Sequence, residues 1–376
     1  VKAVSTMFNF AGGNGAVHHK GMGSIPTILA ALISGAVFPF HYVKSGSHEL
    51  THALVKAAVT YGVTIWPACP VGKILVKDGA AYGVQLSDRA VYGPETITAK
   101  KIVSNVSFLP TWTELLGEEA AGTEMYNKAK GFLYDENVTF CINMELDADP
   151  VFISADYDEG IQRAQNGWLG VESGQELFEH TQMNMKKEIT NKPCLEWFVP
   201  TRVDPSQAPE GYSTASMLYD IPPDPKEWNG KKLNGMDSWD DIKEDVAELM
   251  VDTWDKYAPG FKKSIRKLHI ASPMDIQRNN PSAVMGHMAG GAMIPSQAGP
   301  NRPLAGVCKG GASRTYIKDL YLSNSIHPNG QSAISSGYIA ATEVAEDMGA
   351  REQSWWKYKA FQWMNENKDK IEVIKG

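Results

Sequence analysis

The chain has 376 residues with 43% hydrophobic content, enough to bury a large core and to build two domains. Its formal net charge of -7, with Lys and Arg only in scattered pairs such as Lys100-Lys101 and Lys262-Lys263, argues against a nucleic-acid partner. Cys69, Cys141, Cys194 and Cys308 stand far apart without CxxC or Cys/His spacing. Neither a zinc site nor a disulfide framework is expected, and a reducing, cytoplasmic compartment is.

The opening, Val1 to Gly23, is dense in glycine, but it fits neither GxGxxG nor GxxxxGK[ST] and has no preceding strand. It reads as a loop at a domain edge or beside a pocket, and His18-His19 as exposed loop histidines. No charged segment followed by a cleavage site opens the chain, so no secretory signal is read. The apolar run Ile25 to Phe40 is shorter than a bilayer span and is interrupted by Pro26, Gly35 and Pro39. It is expected to be a buried helix or the wall of a ligand tunnel, with peripheral membrane contact as a refinement.

Tyr42 to Ala58 predicts a Gly-Ser turn and then a helix with Leu50, Leu54 and Ala57 or Ala58 on one face. Thr64 to Trp66, Val71 to Val76 and Ala81 to Leu86 predict short strands, the last two joined by a Lys77-Asp78-Gly79 hairpin. Thr96 to Ser104 predicts one further strand ending at Asn105, followed by a short helix from Thr111 to Gly117. The strands then lengthen: Thr139 to Leu146, Trp168 to Val171, Cys194 to Thr201 and Tyr212 to Tyr219, with a helix from about Gln175 to Glu188. This pattern predicts a mostly antiparallel sheet with one covered face and one face lining something apolar.

A Pro-rich connection, Ile221 to Gly235, leads to an amphipathic helix from Ser238 to Tyr257, whose Ile242, Val246, Leu249, Met250, Thr253 and Trp254 share a face. From Ser313 to Gly349 comes a short strand (Leu320, Tyr321, Leu322), a turn rich in Asn, Pro and Gly, and a helix carrying Ile339, Ala340, Ala341, Val344 and Ala345. A helix N-terminus after such a turn holds an anion or an electron-rich ring edge, because its first-turn amides are unpaired and the helix dipole adds positive charge. The aromatic, basic segment after Arg351 reads as a surface helix.

The wording of that last stretch is more specific than its topology. Arg314-Thr315, LYLSNS, His327-Pro328, Gly330, Gly337 and Ala340-Ala341 resemble the C-terminal flavin signature of the phytoene desaturase, carotenoid isomerase and retinol saturase family of FAD-dependent oxidoreductases. The run from Pro200 through Asp204, Pro209, Gly211 and Thr214 resembles the family's substrate-domain segment. Gly62, Ile65, Val71, Ile74, Gly79, Gly83 and Val84 follow its order in the preceding part. Asn324 stands where a glycine is usual, and Asn329 and Gln331 replace two further glycines.

The resemblance implies an α/β fold of mixed α+β character: a partial FAD-binding Rossmann-like domain (1–130 and 270–350), an antiparallel-sheet substrate domain with helices (131–269) and a tail (351–376). It implies FAD as cofactor, held by Val71, Ser104, Asn105, Ser323, Asn324, His327, Pro328, Asn329, Gly330, Gln331, Ser332, Ala333 and Ile334. His327 is the catalytic candidate, with a structural role in its loop as the alternative. Asp204 and Arg314 are expected to be loop and strand anchors.

No GxGxxG unit for the FAD diphosphate occurs in the sequence. The unit is therefore expected on a second polypeptide, with a longer or cleaved protein of which this chain is one fragment as the alternative. The expected activity is dehydrogenation or desaturation of a hydrophobic, terpenoid or alicyclic molecule by hydride transfer to flavin. Isomerisation or saturation of a similar substrate is the enzymatic alternative, and a non-catalytic partner subunit with a degenerate flavin site the other. No metal ligand set is expected.

Overall fold

The computed structural model describes residues 43–287, 291–292, 294–297, 301–308, 313–323, 335–357 and 360–367. In chain order its main elements are α1 (His48–Thr60), β1 (Val71–Lys77), β2 (Ala80–Leu86), β3 (Thr96–Thr98), β4 (Ile102–Ser104), α2 (Thr123–Lys130), β5 (Val138–Leu146) and β6 (Asn166–Leu169). There follow α3 (Gly174–Met185), β7 (Leu195–Phe198), β8 (Ser213–Ile221), α4 (Trp239–Tyr257), β9 (Ile265–Ala271), α5 (Pro273–Asn279), β10 (Leu320–Leu322) and α6 (Ser335–Asp347). The chain divides into two compact units, one of residues 1–65, 134–288 and 292–294, the other of 66–133, 289–291 and 295–376.

The first unit is built on a five-stranded antiparallel sheet in the order β9-β5-β8-β7-β6. Strict alternation along β5 puts Phe140, Ile142, Met144 and Leu146 on one face, and pairing with β8 places Tyr219, Met217, Ala215 and Ser213 opposite them. Helix α4 covers this face with Trp239, Val246, Met250 and Trp254, all fully buried. Trp254 stacks on Phe261 at 4.2 Å and lies 5.8 Å from Trp197.

The helices of this unit begin where the sequence supplies caps. Ser173 Oγ accepts the Glu176 N–H ahead of α3, and Ser272 with Asp275 forms a full capping box ahead of α5. Gly170, at φ 96°, sits where a Cβ would lie 2.0 Å from Pro193 O, so only glycine fits. Strand β9 is absent from the sequence reading because Arg266 and Lys267 break its alternation, as an edge strand permits. Helix α1 forms as expected, but none of its residues is buried: Leu50, Leu54, Val55 and Val59 are all exposed.

The second unit contains the hairpin β1-β2, extended by β3, and a separate parallel pair of β4 with β10. Asp78 and Gly79, both at positive φ, make the hairpin turn. The strand expected over Thr96 to Ser104 is in fact two. The Ala99 N–H donates to Tyr82 O whereas the Ile102 N–H donates to Asp319 O, so the chain changes partner between them. Lys101 Nζ, 2.5 Å from Asp319 Oδ1, secures the change. The segment Thr64 to Trp66 is not a strand, and Ile65 and Trp66 are exposed. A π-helical turn, Thr111–Leu116, stands where a short helix was expected.

Candidate functional site

Strands β4 and β10 run parallel in the register Leu320 to Ile102, Tyr321 to Val103 and Leu322 to Ser104, so their carboxyl ends finish at one level. In parallel α/β sheets, ligands lie against that end. Ser323 is buried there; its N–H donates to Ser104 O at 2.9 Å, and its hydroxyl donates to Asn105 Oδ1 at 2.8 Å. The buried Ser104 hydroxyl is 3.0 Å from that of Thr111, which donates to Val106 O at 3.0 Å. The Asn105 carboxamide is thus oriented through its oxygen, while its amide nitrogen makes no hydrogen bond among the described residues.

Helix α6 is clamped to β10 from below. Glu343 Oε2 accepts the N–H of Ser313 at 2.9 Å and of Arg314 at 2.7 Å, and Ser313 Oγ donates to Leu322 O at 2.6 Å. Arg314 meets Glu346 at 2.7 Å and Asp347 at 3.0 Å, and these carboxylates push its pKa further up. The Arg314 guanidinium in turn holds the Asp347 carboxyl below its usual range, assisted by a short hydrogen bond from the Tyr321 hydroxyl. Arg314 is therefore an anchor. So is Asp204, which accepts the Ser45 N–H at 2.6 Å and the Ser206 hydroxyl at 2.5 Å.

Of the sequence-predicted cofactor residues, Ser104, Asn105 and Ser323 come together in this way. Val71 opens β1, an edge strand of the neighbouring three-stranded sheet, and no described hydrogen bond links it to those three. Asn324, His327, Pro328, Asn329, Gly330, Gln331, Ser332, Ala333 and Ile334 lie outside the described residues. Thr111 and Glu343, which brace the junction, carried no sequence signal beyond polar residues next to predicted elements.

A second surface belongs to the first unit: the sheet face away from α4. Its rows run His269, Asn143, Ser216, Phe198 and then Cys141, Leu218, Glu196, Trp168 across the strands. The sequence predicted a face lining something apolar; the face itself is mixed in character, because β5 alternates apolar residues with Asn143 and Glu145. An open hollow of about 420 Å³ lies over Asn143, Glu145, Thr214, Ser216 and His269. Glu196 went unnoticed in the sequence although it is the one charged residue in the apolar run Cys194 to Pro200. Burial raises its carboxyl to a pKa of about 7.

Among the described residues there is no helix long and apolar enough to cross a membrane and no cluster of three potential metal ligands.

The chain is a homologue of FAD-dependent oxidoreductases of the phytoene desaturase-like type. It is similar to a subunit of the limonene dehydrogenase of Castellaniella defragrans, at 28% identity over 84% of this chain and 56% of that protein. Pyridine nucleotide-disulfide oxidoreductase domain-containing protein 2 of mouse is 27% identical over 84% of this chain and 53% of its own length. An oxidoreductase of known structure from Methanosarcina mazei aligns with 81% of this chain and 55% of its own at 13% identity, with a TM-score of 0.45. No family model matches the chain. The chain spans about half the length of the curated relatives it matches.

Proposed function

We propose that this chain forms the substrate-domain and C-terminal flavin portion of an FAD-dependent dehydrogenase that acts by hydride transfer from a hydrophobic, terpenoid or alicyclic substrate. The observation that carries this reading is the parallel β4/β10 junction, with Ser104, Asn105 and Ser323 at its carboxyl end, in a chain homologous to FAD-dependent oxidoreductases. The residues there fit a neutral heteroaromatic edge: hydroxyls and a carboxamide, already oriented, with the Asn105 amide donors to spare and no charge to neutralise.

In this reading Asn105 holds the flavin edge, Ser323 fixes the Asn105 side chain, and Glu343 with Arg314 fixes the helix that follows. When bound, the flavin supplies the hydride acceptor. This chain's own task is to place the substrate carbon, keep its surroundings apolar and exclude water. The five-stranded sheet's open face serves as the substrate wall. The GxGxxG unit is supplied from outside these 376 residues. That the Castellaniella relative is named as a subunit supports a multi-subunit assembly.

Native purification tests this reading. A flavin absorption spectrum together with a second polypeptide in the purified material is the expected result, and anaerobic product analysis with a terpene should show loss of two hydrogens. A colourless protein that cannot be reconstituted with FAD overturns it in favour of a non-catalytic subunit. A flavin protein that returns an isomer overturns the dehydrogenase activity alone.

A further inference from the structure

Helix α1 opens with two histidines one turn apart. His48 and His52 have the i, i+4 spacing that puts side chains on one face, and their Nε2 atoms lie 2.8 Å apart. The rings are nearly perpendicular, at 85° with 4.2 Å between centroids. Both are exposed, and among the described residues no other hydrogen bond reaches either ring. A hydrogen bond between two rings in water does little for an exposed helix. Two converging imidazole nitrogens are, however, the donor set of a metal chelate.

Two nitrogens bound to one ion at about 2.0–2.1 Å lie about 2.9 Å apart when they subtend a right angle and about 3.3 Å apart in a tetrahedron. The observed 2.8 Å fits the right angle. Such a pair suits the tetragonal coordination of copper(II) and nickel(II), whereas zinc prefers the wider angle. Glu49 Oε1 lies 3.7 Å from His52 Nδ1, and a small turn of either exposed side chain makes that a hydrogen bond. A carboxylate accepting from Nδ1 keeps the proton there and leaves the Nε2 lone pair to the metal. The positive end of α1 and Lys56, a turn further on, oppose a cation, and Glu49 offsets them.

We propose that His48 and His52 form a two-point chelate for a divalent transition ion of tetragonal preference, copper(II) or nickel(II), with Glu49 orienting His52 and water filling the positions that face solvent. The site lies wholly on one helix of the first unit and is independent of the flavin reading. Binding replaces the contact between the two Nε2 atoms by two nitrogen–metal bonds, and the proton that lay between them moves to Nδ1 of its ring. The ion thereby staples the first turn of α1 to the second, in a helix that buries none of its own residues.

Copper(II) sulfate titrated into natively purified, tag-free protein in a non-coordinating buffer, followed by electron paramagnetic resonance, tests the site. A saturable site is expected, with a tetragonal signal split by two nitrogens. His48→Ala and His52→Ala should each weaken it by about 100-fold or more, because either loss removes the advantage of two linked donors. Glu49→Gln should weaken it by about tenfold. All three side chains are exposed, so the variants should keep the wild-type circular dichroism spectrum. Copper should also slow hydrogen exchange of the α1 amides in the wild type and leave it unchanged in His52→Ala. Copper held as tightly by both histidine variants as by the wild type, or held without the two-nitrogen splitting, marks adventitious ions only and overturns the chelate. Zinc(II) bound more tightly than nickel(II) overturns the tetragonal preference.

Discussion

Ser323 and Asn105 are joined side chain to side chain at 2.8 Å across the ends of two parallel strands 218 residues apart in sequence. That bond fixes the carboxamide whose amide nitrogen makes no hydrogen bond among the described residues. Ser323→Ala should leave Asn105 Oδ1 unpaired at a cost of about 1 kcal/mol and let the side chain rotate. We expect flavin content on purification to fall in Ser323→Ala and to fall further in Asn105→Ala, with urea midpoints little changed. Retention of full flavin content in both variants would remove the β4/β10 junction from the cofactor site.

The core of the first unit depends on one tryptophan. Trp254 is fully buried between Phe261, Trp197 and Phe152. Trp254→Ala should cost about 3–5 kcal/mol, through lost burial and the cavity left behind. Trp254→Phe should cost markedly less. Chemical denaturation followed by far-UV circular dichroism measures both.

Gly170 offers a sharper backbone test. Any side chain there meets Pro193 O and must also adopt a positive φ. Gly170→Ala should therefore destabilise the link from β6 to β7 by more than the roughly 1 kcal/mol typical of a helix glycine, because the clash is with backbone. Soluble yield and thermal midpoint report it, and an unchanged midpoint refutes the close approach.

His287 should make the protein acid-sensitive. Burial lowers its pKa to about 4, and its ring bonds Asp135 O at 2.8 Å. Its unfolded-state value is about 6.5. Above pH 6.5 neither state binds the proton and the group is silent. As pH falls from 6.5 towards 4 the unfolded chain takes up a proton that the folded chain refuses, so stability declines, by roughly 3 kcal/mol at the limit. His287→Gln should flatten that decline in urea titrations run from pH 8 to pH 5.

The sequence was most informative where one residue's period decided its environment. Alternation along Thr139 to Leu146 and the helical spacing of Ile242, Val246 and Met250 are local properties, and both elements formed where the pattern put them. Exposed α1 shows the limit of the same cue, since spacing identifies an apolar stripe but not what covers it.

Pairing was not legible in this way. Thr96 to Ser104 reads as one strand because strand propensity ignores partners, yet Lys101 binds Asp319 and hands the chain from β2 to β10. By itself the sequence determined strongly periodic elements such as β5 and α4, the mixed α/β character and the resemblance to FAD-dependent oxidoreductases, all of which rest on neighbouring residues. Only the tertiary structure decided that Ser323 would find Asn105 and that Glu196 would sit across the strands from Leu218 and Trp168. Both depend on which strands lie side by side, and that is set by long-range hydrogen bonding and packing, not by any residue's neighbours along the chain.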